Sequence, residues 1–186
     1  MKKLFFMLIV CTLTGCTVDY VGLYSRLGGR GKYALVEKRL KNRIKEDITH
    51  VDQMAYKVML AIMCRKQHMT SDYLQAIDQA KTTNTKYNYL AFRELAIFYK
   101  EQGDKINEKK ALEKAKVCLT NLLNDYENNI VSEDVFKRYS VVDFYMSYYI
   151  YKIKTDVILG YNSLSEQKLL YAKFIKKWDK RIKELN

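Results

Sequence analysis

Beyond residue 31 the apolar side chains recur every three or four positions, and lysine, glutamate and other polar residues fill the intervals. Such a stripe is one face of an α-helix, whose turn takes 3.6 residues. Over 32–47 the stripe is Tyr33, Val36, Leu40 and Ile44, with Lys38, Arg39, Lys41, Arg43 and Lys45 around it, which predicts a basic amphipathic helix. Over 52–68 it is Ala55, Val58, Met59, Ile62 and Met63. Thr70-Ser71-Asp72 then offers N-cap chemistry to a second arm, which passes through Tyr73, Leu74, Ala76, Ile77 and Ala80 and stops in the polar cluster 82–85. Further helices are predicted over 87–102, closed by Gly103, and over 107–124. The last, over 163–185, carries Leu170, Phe174, Trp178, Ile182 and Leu185 on one side and seven basic residues over most of the remainder.

The segment 133–159 differs, because Phe136, Tyr139, Val142, Phe144, Tyr145, Tyr148, Tyr149 and Tyr151 cover more than one face. A helix apolar on several faces is buried or partner-bound. It is read either as the central helix of the domain, with phenol groups reaching polar edges, or as an aromatic docking surface. For the second reading the contact residues are Tyr139, Tyr145, Tyr148, Tyr149 and Tyr151.

Composition agrees with an all-α chain. Proline is absent from all 186 positions, where average usage of about 5% would supply about nine. Five of the seven glycines precede residue 32, so 17–31 reads as a flexible tether and 32–186 as one helical domain.

The first sixteen residues have a different character. Met1-Lys2-Lys3 precedes an apolar run over 4–13, which has signal-peptide length and is too short to span a bilayer. It closes on Leu13-Thr14-Gly15-Cys16, which resembles the lipobox of bacterial lipoproteins. That resemblance implies acylation of Cys16, cleavage before it and a stable lipid anchor, since several acyl chains exceed the two-signal requirement for lasting attachment. Thr17 stands where the enteric inner-membrane retention signal would place Asp, so the resemblance implies the outer membrane, with a periplasmic domain. Loss of 1–15 removes Lys2 and Lys3 and no acid, lowering the formal charge from +12 to +10.

Within the domain, Phe92, Leu95-Ala96, Tyr99, Gly103, Leu112 and Ala115 fall where a tetratricopeptide repeat has its large, small and turn residues. A weaker copy lies about 32 residues upstream, with Met63-Cys64, Ser71-Asp72 and Ala76. Glu108 occupies the family's second-helix Ala position, and the closing proline is missing. The resemblance implies stacked helical hairpins with a protein-binding face; the residues alone also fit an irregular helical bundle.

Little in the chain points to catalysis. His50 and His68 sit in no metal-ligand or nucleophile-base spacing, and Gly28-Gly29-Arg30-Gly31 lacks the strand a phosphate loop needs. The acidic pairs Glu46-Asp47 and Glu133-Asp134 suit helix ends, where carboxylates complement the amide dipoles. No enzyme, metal, cofactor or small-molecule substrate is expected. Cys64 and Cys118 lie on apolar stripes and could remain buried thiols or form a disulfide in an oxidising compartment. The basic helices are read as facing anionic lipid, with no nucleic acid as partner.

These readings converge on a lipid-anchored protein whose helical domain binds a protein partner, similar to pilotins and assembly-factor lipoproteins of secretion or pilus-type envelope machines. The alternative is an immunity or entry-exclusion lipoprotein that protects the cell from a toxin, phage or conjugative element.

Overall fold

The computed structural model describes residues 19–46, 49–151 and 163–186; Cys16 and its lipobox lie outside them. Among the described residues the chain forms eight α-helices and no strand. They are α1 (Tyr20–Gly29), α2 (Tyr33–Arg43), α3 (His50–Lys66), α4 (Thr70–Lys81), α5 (Tyr89–Glu101), α6 (Lys105–Glu127), α7 (Glu133–Tyr145) and α8 (Leu164–Glu184). Between α7 and α8 comes a π-helical turn, Met146–Ile150.

Helices adjacent in sequence pair as hairpins, α3 with α4 and α5 with α6, and α8 lies along α6. Their faces share one apolar cluster, in which Met54, Met59, Ile62, Ile77, Leu90, Leu119, Phe136, Tyr139 and Tyr171 are buried. The turns follow from residue chemistry. Gly103 ends α5 with φ +72°, a left-handed conformation that costs glycine nothing because it has no Cβ. Asp19, Thr49, Asn88, Asp104, Ser132 and Ser163 each accept a backbone N–H at the start of a helix, contributions of about 1 kcal/mol apiece.

Three expectations are corrected. The segment read as a flexible tether contains α1, whose Val21 and Tyr24 are buried. Its glycines had suggested slack, but they are points of close approach. A Cβ on Gly22 would lie 2.8 Å from the Tyr145 ring, and one on Gly28 would lie 2.9 Å from Met63 Cε. Secondly, Thr70-Ser71-Asp72 gives α4 no side-chain cap: the chain turns at His68, φ 60°, and Thr70 is already the first helical residue. Thirdly, the long helix expected over 133–159 runs as α-helix only to Tyr145 before the π turn; 152–159 lie outside the described residues.

Candidate functional site

The aromatic run of α7 and the π turn divides on packing. Tyr139 has no exposed surface, and its hydroxyl accepts a hydrogen bond from Asn84 Nδ2 at 2.9 Å, so the expectation that it contacts a partner is corrected. The half-buried Tyr151 donates to Glu94 Oε2 at 2.6 Å. Tyr145 covers Gly22 of α1, and Tyr149 lies under the Arg26 guanidinium at 5.5 Å. Tyr148 stacks on Phe144, with centroids 5.7 Å apart. Half-buried Tyr145, Tyr148 and Tyr149 keep some accessible surface; much of the rest of the run is spent on the domain's own packing.

Beneath that run lies a set of buried charges that periodicity did not reveal. Glu94 has no exposed surface and is held by Arg65 Nε at 2.6 Å, while Arg65 Nη1 reaches Glu101 at 2.7 Å. Burial lifts the Glu94 carboxyl above the ordinary glutamate value, although Arg65 and the Tyr151 hydroxyl pull it down. Next to Glu94 in the chain, Arg93 Nη1 donates to Asp143 Oδ1 at 2.5 Å, and Ser147 Oγ donates to the same oxygen at 3.0 Å. The Arg93 guanidinium lies 5.1 Å from the Tyr151 ring centre. Burial holds the Tyr89 and Tyr151 phenols well above their usual pKa, so they stay neutral. In sequence, Glu94 sat on a stripe beside Leu90 and Leu95, and nothing marked it as an ion-pair partner.

Arg93 also lines a cleft between the α5–α6 hairpin and α8. The cleft has a volume of about 440 Å³, in the range of small-ligand and side-chain pockets. Its apolar walls come from Ala96 and Ile97 of α5, Leu112 of α6, and Phe174 and Trp178 of α8. Phe174 and Trp178 stack with centroids 6.1 Å apart. Lys100, Lys177 and Lys180 stand exposed on the rim. Arg181 is tied down, its Nε and Nη2 donating to Glu108 at 2.7 and 3.0 Å. The sequence had placed Phe174 and Trp178 on an apolar face; it could not show that part of that face borders open space.

The cleft lies at the Gly103 end of the molecule. Asp19, ahead of α1, and Asp52, in the first turn of α3, both bind Arg138, at 3.1 and 2.7 Å. Arg65, in the last turn of α3, binds Glu101, the neighbour of rim Lys100. The seventeen residues of α3 span about 25 Å and separate these two ends.

Other candidate chemistry is quiet. His50 and His68 are exposed. Cys64 comes within ligand distance of Glu37 and Asp72, a group that could hold a metal ion; residues on three helices gave no sequence signal for it. Glu37 is already engaged by Lys41 at 2.7 Å and Gln67 at 2.8 Å. Cys64 and Cys118 are free and buried. Burial pushes the Cys64 thiol up to about 11, and reactivity follows the thiolate. In the native domain Cys64 and Cys118 are therefore expected to leave Ellman's reagent unreacted at pH 8, and urea to release both thiols. A disulfide would yield none, and a prompt native reaction would place a cysteine at the surface.

Comparison of the chain with protein-family models, with curated proteins and with solved structures finds no match.

Proposed function

We propose that this chain is a lipid-anchored envelope protein whose helical domain binds a protein partner, as an adaptor or assembly factor of a secretion or pilus-type machine. The observation that carries the reading is Leu13-Thr14-Gly15-Cys16 behind a lysine-led apolar run, a combination that matches acyl anchoring at Cys16. Two structural features support it. Asp19 is three residue steps from Cys16, at most about 11 Å of extended chain, so an acylated Cys16 would hold the α1 end of the domain against the bilayer. The cleft, about one α3 length away, would then face outward, where a partner can reach it. The paired hairpins suit a repeat-like binding scaffold. Anchoring also raises the effective concentration of that face at the membrane, so modest affinity gives high occupancy.

Metabolic labelling with an alkyne fatty acid tests the anchor. Cys16→Ser is expected to lose the label and to leave the membrane fraction; a labelled or membrane-bound variant would sink the reading. In-cell crosslinking of the acylated protein, followed by mass spectrometry, then tests the role. Secretion or pilus subunits support an adaptor, whereas a foreign effector or conjugation component supports protection.

A further inference from the structure

We infer that the cleft between the α5–α6 hairpin and α8 is a receptor for an acidic segment of the partner protein, which inserts an aliphatic or aromatic side chain against Phe174 and Trp178. The inference deepens the protein-binding reading above and rests on it.

Charge comes first. The lining carries five cations, Arg93, Lys100, Lys177, Lys180 and Arg181, against two carboxylates, Glu108 and Glu184. Arg181 spends its charge on those two acids, at 2.7 and 3.4 Å. Lys100, Lys177 and Lys180 have no acidic partner among the described residues, although other surface lysines of this chain, such as Lys41 and Lys116, do. The rim therefore presents three unneutralised ammonium groups around an apolar floor, and such a field attracts an anionic ligand and repels a cationic one.

The floor supplies a second, independent sign. Arg93 is 9% exposed, yet its Nε and Nη2 have no hydrogen-bond partner. Its single strong bond, to Asp143, uses Nη1 alone. Those two nitrogens are enclosed and the charge is spent on Asp143, so Arg93 forms part of the floor, and a ligand would meet the apolar wall and the rim lysines. Trp178 is 93% covered by its own chain yet borders the cleft, which gives a rigid apolar wall of the kind that anchors interface side chains.

A segment of protein fits these features better than the two other polyanions such a rim could meet. The bilayer lies at the opposite end of the domain on the reading above. Nucleic acid would need phosphate contacts repeated along an extended track, whereas here three lysines surround one apolar pocket of about 440 Å³.

The chain has a built-in reporter, since Trp178 is its only tryptophan. The full acylated protein in detergent is titrated with a fluorescein-labelled peptide, Glu-Asp-Glu-Leu-Phe-Asp-Glu-Asp, with Trp178 emission and peptide anisotropy followed together. Saturable binding with a change in Trp178 emission is expected, and at least about tenfold weaker binding to the triple variant Lys100→Glu/Lys177→Glu/Lys180→Glu, whose sites are exposed and leave the core untouched. Reversal of Lys38 and Arg39 on α2 and of Lys45 in the turn after it is expected to change nothing. Replacing Leu-Phe of the peptide by Ser-Ser is expected to abolish the emission change. Equal affinity for the rim triple variant would overturn the inference, as would tighter binding of a deoxythymidine oligonucleotide or of phosphatidylglycerol vesicles. A photocrosslinker at position 177 separates the two levels of the argument in cells. Partner capture there and not from position 38 supports the cleft. Capture from 38 alone removes the cleft and leaves the adaptor reading standing, and loss of fatty-acid labelling removes the anchor and, with it, the argument that the bilayer lies away from the cleft.

Discussion

Replacing Asp143 by Ala is expected to lower the unfolding free energy of the helical domain by about 3–5 kcal/mol, the cost of leaving one member of a buried ion pair alone. Asp143 is 3% exposed and is the only acid bound to Arg93 among the described residues. Removing it strands a guanidinium of which Nε and Nη2 are already unpaired, and it deprives Ser147 of its acceptor. With a urea slope of about 1–3 kcal/mol per molar, the midpoint should fall by about 1–5 M. The paired variant Arg93→Met/Asp143→Leu removes both charges and is expected to recover most of the loss, since two apolar groups of similar volume can replace a buried pair at little cost. A midpoint within 0.3 M (roughly the shift of a surface substitution) for the single variant would mean that water reaches Arg93 and that the pair is not a dry one.

The second large effect concerns α1. Replacing 20–29 by ten residues of glycine and serine keeps the length of the supposed tether and removes its helix. Val21 is fully buried and Tyr24 is 5% exposed, and burying a large apolar side chain contributes about 1.5–3 kcal/mol. The expected loss is therefore about 3–6 kcal/mol, with new protease sensitivity around Tyr145, whose ring would lose its contact with Gly22. Urea unfolding and limited proteolysis of the protein measure both. An unchanged midpoint would return 17–31 to the role of a tether.

That error shows where sequence reasoning lost its footing. Most helices were legible because their stripes were long and their ends punctuated, as with Gly103 after α5 and Ser163 before α8. α1 was not, because glycine reads locally as a breaker and only the tertiary structure reveals Gly22 and Gly28 as places where another side chain must come close. The candidate site was half visible. Phe174, Trp178 and the lysines of α8 were on the page as an amphipathic pattern, but a one-dimensional pattern does not distinguish a face fully covered by neighbours from one that borders a cleft. The buried ion pairs left no local trace, since Arg65–Glu94 and Arg93–Asp143 join residues 29 and 50 positions apart. The tyrosines of 139–151 stand out in the sequence because, with their neighbours, they cover more than one helix face, yet Tyr139 is enclosed and Tyr151 turns its hydroxyl inward to a buried carboxylate.

The π turn at Met146–Ile150 sets the phase at which Tyr151 follows α7. A π turn is the trace of one extra residue accommodated within an α-helix, and each residue of α-helix advances the next side chain by about 100°. Losing that residue from 146–150 would restore ordinary pitch and leave Tyr151 in phase, whereas losing one from α7 would swing Tyr151 about 100° out of line with Glu94. Natural variation in this protein should therefore tolerate a change of length at the π turn and in the loops between helices, and run to exchanges of side chain within α7.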